Sequence, residues 1–160
     1  MLVEDLMTRN VAAVRPDQTL AVAARLMWDC DCGALPVVEG ERRALGMITD
    51  RDICMACWSR GVTPTALLVR EAMSIDLVYC SPQATLAAAE AAMSEYQVRR
   101  LPVVDAQMHL VGLLSLADIA RAAALSPKLL PDRDLSDSGV TSTLASISTA
   151  APPYASQAYP

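Results

Sequence analysis

Residues 35–38 read Leu-Pro-Val-Val, and residues 101–104 read Leu-Pro-Val-Val again. Sliding the chain on itself by the 66 residues between these blocks aligns it without a gap. Val3, Met7, Pro16, Thr19, Leu20, Met27, Gly46, Asp52 and Ile53 fall on Val69, Met73, Pro82, Thr85, Leu86, Met93, Gly112, Asp118 and Ile119. An alanine-rich composition yields scattered alanine matches, but not paired prolines, paired glycines and a four-residue block in one register. The chain is therefore an internal duplication, with one copy over 1–62 and the second over 63–125. Fifteen of the thirty-five residues in 126–160 are Ser, Thr or Pro, which reads as a flexible tail.

Both copies carry the same pattern. A short apolar run, 10–14 or 76–80, leads through Pro to Thr19 or Thr85, each a hydroxyl N-cap set before an apolar stretch of helical spacing. On that helix Leu20, Ala23, Ala24 and Met27 share one face, as do Leu86, Ala89 and Met93, which leaves Glu90 and Glu95 for water. Two β-rich runs follow, 34–38 with 44–49 and 100–104 with 110–115, joined by the polar stretches EGERR and DAQMH. A second helix starts at once, over 50–59 with Gly61 as its stop, or over 116–124. The unit is β-α-β-β-α, a mixed α/β fold of the α+β kind. A unit of this size does not easily close a core alone, so the copies should pack by pseudo-twofold symmetry and leave ligand clefts between them.

Composition narrows the function. Net charge is −5, and no stretch gathers the Lys/Arg cluster that a nucleic-acid backbone requires. No window of eighteen uncharged apolar residues marks a membrane span, and the acidic start MLVEDLMTRN is unlike a secretory signal. Five cysteines, an odd count at irregular spacing, point to reduced thiols and a cytoplasmic protein. No nucleophile elbow, Walker loop or paired-carboxylate motif is present, which leaves an enzyme active site without a home.

The segments GMITDRD at 46–52 and GLLSLAD at 112–118 both reduce to G-x-[IL]-[ST]-x-x-D. In each, a strand delivers a hydroxyl at its end and a helix begins immediately, so first-turn N–H groups and the positive end of the dipole face the space beyond the strand. An aspartate three residues on offers two acceptor oxygens, suited to the two hydroxyls of a ribose. Arg51 supplies a charge for phosphate. The same Thr49-x-x-Asp52 and Ser115-x-x-Asp118 spacing also describes a capping box, which needs no ligand.

The blocks LMTRNVAAVRPDQTL, GALPVVEG and GMITDRDI, repeated as AMSIDLVYCSPQATL, RRLPVVDA and GLLSLADI, resemble tandem cystathionine-β-synthase (CBS) domains, a pair called a Bateman module. The resemblance implies that each cleft takes an adenosyl ligand, of the class of AMP, ADP, ATP, NAD or S-adenosylmethionine. It also implies that the pair forms a flat homodimer and regulates a partner protein rather than catalysing. It places the ribose-binding pair on Asp52 with Thr49 and on Asp118 with Ser115. The adenine pocket would fall on Asn10, Val11, Ala12, Ala34 and Pro36, and on Asp76, Leu77, Val78, Arg100 and Pro102. The copies differ where Asp50 and Arg51 become Leu116 and Ala117, so the two sites should be unequal, with Arg99 or Arg100 able to compensate in the second.

Other candidates are weaker. Cys30, Cys32, Cys54 and Cys57 together offer four thiols for a zinc or redox sensor, but their places on the two helices of copy one suit small buried apolar groups. An interaction protein with vestigial clefts is the further alternative. Cys80 reads as a strand residue, and His109 as a solvated turn residue without a carboxylate motif beside it. Met27, Met47, Met73 and Met93 read as core.

Overall fold

The computed structural model describes residues 1–125 together with Thr143 and Leu144. The elements run α1 (Val3–Leu6), α2 (Leu20–Asp29), β1 (Ala34–Glu39), β2 (Arg43–Thr49), α3 (Asp50–Arg60), two 3-10 turns (Pro64–Ala66 and Val69–Glu71), α4 (Leu86–Tyr96), β3 (Arg100–Val104), β4 (Leu110–Ser115) and α5 (Leu116–Leu125). The N-caps foreseen are in place: Thr19 Oγ1 accepts from the Val22 N–H at 3.4 Å, and Thr85 Oγ1 from the Ala88 N–H at 3.2 Å. Gly61 ends α3 in the left-handed region, φ 64°, and its N–H returns to the Cys57 and Trp58 carbonyls. The left-handed stop favours a residue without Cβ.

Strands β1 and β2 form one antiparallel hairpin and β3 and β4 the other. Both pairs slip register at the same place, between Val37 and Val38 and between Val103 and Val104. The two hairpins meet at the bridge of Arg43 opposite His109, where the Ala44 N–H donates to the Met108 carbonyl and the Leu110 N–H to the Arg42 carbonyl, both at 2.9 Å. These partners are repeat equivalents of one another, so the pseudo-twofold axis passes through this bridge.

The halves also exchange their leading segments. Thr8 pairs with Leu113 of β4, and its equivalent Ser74 pairs with Met47 of β2; Leu2 pairs with Thr85, and its equivalent Leu68 with Thr19. The result is two apolar cores of mixed ancestry. Val3 and Met7 pack with Leu86, Met93, Leu101, Leu114 and Ile119, whereas Leu67 and Val69 pack with Leu20, Met27, Leu35, Ile48 and Ile53.

The foreseen first strand is absent from each copy. Val14 makes one parallel bridge to Val37, and Cys80 one to Val103. The reason is that residues 8–14 are bonded to the opposite half at Thr8 and to their own half at Val14, so the stretch between crosses from one hairpin to the other. Asn10 turns it with φ 56°, a conformation asparagine tolerates.

Glu90 departs from expectation. It is 8% exposed, because it lies four residues after Leu86 and three before Met93, on the stripe of α4 that faces inward. Glu95 is exposed. Met27 and Met93 are buried, while Met47 and Met73 are half-buried. His109 is half-buried at the pseudo-twofold bridge and has a carboxylate partner: Asp105 Oδ2 lies 3.1 Å from Nδ1, and Asp105 Oδ1 accepts the His109 N–H at 2.8 Å. The reading of 126–160 as a flexible tail falls outside the described residues except at two positions. Thr143 and Leu144 are helical, and Thr143 is 6% exposed.

Candidate functional site

Each candidate site begins where a hairpin's last residue becomes a helix N-cap. In copy one Asp52 Oδ2 accepts from the Thr49 N–H at 2.9 Å and from Thr49 Oγ1 at 2.7 Å, and Thr49 Oγ1 accepts the Asp52 N–H at 3.1 Å. In copy two Asp118 Oδ2 accepts from the Ser115 N–H at 2.8 Å and from Ser115 Oγ at 2.6 Å, and Ser115 Oγ accepts the Asp118 N–H at 3.2 Å. Both capping boxes are thus formed. Each uses a single carboxylate oxygen and leaves Oδ1 as the atom on which any ligand reading depends.

At that atom the copies part. Asp118 Oδ1 is held by Arg121 Nη2, one helical turn on. Asp52 Oδ1 has no hydrogen-bond partner among the described residues, and the position equivalent to Arg121 is Met55. Asp52 lines a cavity of about 470 Å³ with Met55, Ala56, Trp58, Ser59, Arg60, Glu71 and Ala72. This volume lies in the range of small-molecule sites. Asp52, Met55, Ala56 and Ser59 present one helix face, and Glu71 and Ala72 come from the exchanged segment of copy two. The cavity therefore lies between material of both repeats. Met55, Ala56, Trp58, Ser59 and Arg60, and Glu71 with Ala72, were missed as cavity residues by sequence reasoning. The spacing from Asp52 along α3 could have suggested the former; only the exchange of segments brings in the latter.

The far wall is tied in place. Arg60 Nη1 contacts Glu71 Oε1 at 2.6 Å, and Glu71 Oε2 accepts the Leu68 N–H at 2.8 Å. The Leu68 hydrogen bond and then Arg60 hold the Glu71 carboxyl below the usual glutamate range.

The remaining candidates are spread more widely. Arg51 is exposed in the first turn of α3, Ala34 and Pro36 are buried in β1, and Val11 and Ala12 are half-buried. Asn10, Val11, Ala12, Ala34 and Pro36 do not line the Asp52 cavity. In copy two Ser115 and Arg100 line a separate cavity of about 380 Å³ with Arg99, Leu116, Ala117, Ala120 and Leu144. Asp76 is exposed, Leu77 and Val78 half-buried and Pro102 buried.

The cysteines are less buried than their sequence positions suggested. Cys30 and Cys54 are exposed, and only Cys32 and Cys57 pack partly against the copy-one core. Cys30 and Cys32 lie beyond the last turn of α2, and Cys54 on the outer side of α3. Among the described residues no three His, Cys, Asp or Glu side chains converge as metal ligands. Burial pushes the Cys32 thiol up, and the Cys80 thiol up to about 11. No helix of the described residues is long and apolar enough to cross a membrane.

Two exchanged α+β repeats, each turning from strand to helix at a Thr/Ser–Asp capping box, define a tandem module of the Bateman type. The CBS domain family model matches residues 3–59 and again 69–125, and the chain belongs to that family. It is 45% identical over 121 residues to the CBS domain-containing protein YhcV of Bacillus subtilis, covering 74% of this chain and 82% of that one. To hypoxic response protein 1 of Mycobacterium tuberculosis it is 37% identical over 117 residues, covering 73% and 81%. The crystal structure of Hypoxic Response Protein I with two coordinated zinc ions superposes with a TM-score of 0.70 at 36% identity, covering 76% of this chain and 98% of that one. CBSX2 in complex with AMP superposes with a TM-score of 0.67 at 27% identity, covering 78% and 96%.

Proposed function

We propose that this chain is a non-catalytic, cytoplasmic regulatory module that binds an adenosyl ligand, of the class of AMP, ADP, ATP, NAD or S-adenosylmethionine, chiefly at Asp52. The observation that carries the reading is the contrast between the aspartates. Asp52 keeps Oδ1 available beside a cavity, whereas Asp118 has the same atom engaged by Arg121. A ribose diol donating to Asp52 Oδ1 leaves the capping box intact, the Trp58 indole offers a face for the base, and Arg51 in the first turn of α3 meets phosphate. The AMP complex of CBSX2 supports the ligand class. Because the cavity is walled by α3 and by the exchanged segment, occupation favours one relative placement of the halves, and a partner protein reads that shift.

Thermal unfolding with AMP, ADP, ATP, NAD and S-adenosylmethionine tests this, since a ligand of the folded state raises the midpoint. At least one of the five should do so. Asp52→Asn keeps an oxygen for the cap but replaces the second acceptor by a donor, and should abolish the rise; Asp118→Asn should change it less. No rise with any of the five would sink the reading.

The module is further expected to be a homodimer. Trp58 and Met55 stand 74% and 48% exposed on α3, and a second copy on this face would also cover the open side of the Asp52 cavity. Light scattering should give twice the chain mass, and a single-chain mass would refute the dimer.

A further inference from the structure

The C-terminal end of α2 carries a thiol that the fold does not require. Asp31 takes the left-handed conformation, φ 49°, and the Asp31 and Cys32 N–H groups return to the Trp28 and Met27 carbonyls at 3.2 and 2.9 Å. That is a complete helix stop. Copy two builds the same stop from Tyr96, Gln97 and Val98: Gln97 has φ 55°, and the Val98 N–H returns to the Met93 carbonyl at 3.0 Å. At the inner position Cys32 and Val98 are both half-buried, so a small apolar group accounts for Cys32. At the outer position copy two exposes Tyr96 and copy one exposes Cys30, a thiol for which packing gives no reason.

The turn also brings the two thiols together. A left-handed residue between them shortens the Cα separation from the roughly 7 Å of extended chain into the range of about 4.4–6.8 Å that disulfides span. Burial pushes the Cys32 thiol up, the Ala34 N–H opposes that rise, and Cys30 is close enough to add to it. Cys32 also borders the cavity of about 430 Å³ beside Trp28 and Gly33, so the pair is open to small molecules. Cys54 and Cys57 differ, because they lie inside α3. Three residues apart on a helix, Cβ atoms stand about 5–6 Å from each other, beyond the roughly 3.5–4.5 Å of a relaxed disulfide.

We propose that Cys30 and Cys32 form a hydroperoxide-oxidisable dithiol, a redox modification site of copy one that copy two lacks. The exposed Cys30 sulfur attacks the peroxide: an S–O bond forms, the O–O bond breaks, and the sulfenic acid of Cys30 and a molecule of water result when the oxidant is hydrogen peroxide. The Cys32 sulfur then displaces the sulfenic hydroxyl, which leaves with the Cys32 proton as a second water. The dithiol loses two electrons and the peroxide gains them. In a reducing compartment the pair rests as thiols and thiol exchange returns it to that state. This chemistry is independent of adenosyl binding.

Trypsin separates the two cysteine pairs: the peptide 26–42 holds Cys30 and Cys32 and no other cysteine, and 52–60 holds Cys54 and Cys57. After the reduced, full-length protein is treated with stoichiometric hydrogen peroxide and alkylated, peptide 26–42 should escape alkylation and lie about 2 Da below its dithiol mass, the loss of two hydrogens. Dithiothreitol should restore it. Thiols titrated in denaturant should fall from five to three. Cys30→Ser, a change at an exposed position, should abolish the mass loss, whereas Cys54→Ser combined with Cys57→Ser should leave it in place. Oxygen added to Cys30 or Cys32 without that loss, a loss confined to 52–60, or a disulfide between two chains would each overturn the assignment.

Discussion

Gly46 and Gly112 sit at equivalent points of β2 and β4 where the opposite half comes closest, and the demands on them differ. A Cβ at Gly46 would lie 2.0 Å from the Ser74 carbonyl oxygen, a main-chain atom fixed by the Met47–Ser74 bridge. At Gly112 the nearest atom is Met7 Sδ at 2.6 Å, with the Thr8 carbonyl at 3.1 Å; a thioether rotates away far more readily than backbone moves. Gly46→Ala should therefore cost about 1–3 kcal/mol or more, at the upper end of overpacking effects, and Gly112→Ala distinctly less. Urea unfolding of the two variants measures both. Equal small losses would mean that the halves are not held by these bridges. The paired glycines were visible as repeat matches, but the reason for them lies in a contact between segments about thirty residues apart in one case and more than a hundred in the other, which no local pattern reveals.

The hairpins, both long helices of each copy and their caps were legible because each rests on local chemistry: a threonine before an apolar stripe, a glycine after one, alternating residues at 43–49 and 110–115. What was not legible depends on partners distant in sequence. Residues 10–14 carry strand-forming side chains, yet they span two hairpins instead of lining one. The Thr49–Asp52 and Ser115–Asp118 pairs were legible as motifs, and Arg121, three residues beyond Asp118, was available to the same reading. The cavity wall at Glu71 was not, since that residue belongs to the leading segment of copy two but packs on copy one. The Arg60–Glu71 contact makes a prediction. Folding lowers the Glu71 pKa, so its contribution is present above the unfolded pKa and disappears as pH falls through the folded one. The stability gap between wild type and Glu71→Gln should be widest near pH 7 and shrink between about pH 5 and pH 3. Thermal melts across that interval check it, and a gap that grows on acidification would contradict the assignment.

At the scale of the molecule, the repeat in sequence and the folded half are different objects. Copy one as a sequence unit, 1–62, contains Val3 and Met7, which complete the other core, and lacks Leu67 and Val69, which complete its own. A fragment over 10–75 instead holds every residue of the core built on Leu20, Met27, Leu35, Ile48 and Ile53, together with the Met47–Ser74 bridge and the Arg60–Glu71 pair. Small domains have little stability in reserve, and two fully buried aliphatic side chains contribute several kcal/mol by area, on the order of 1.5–3 kcal/mol each. The fragment 1–62 should accordingly give a collapsed amide spectrum and no cooperative melt, whereas 10–75 should show dispersed amides and a measurable transition. Mixing 1–62 with 63–125 should restore dispersion, because each then supplies the segment the other lacks. A folded 1–62 beside an unfolded 10–75 would mean that the exchanged segments decorate the halves rather than complete them.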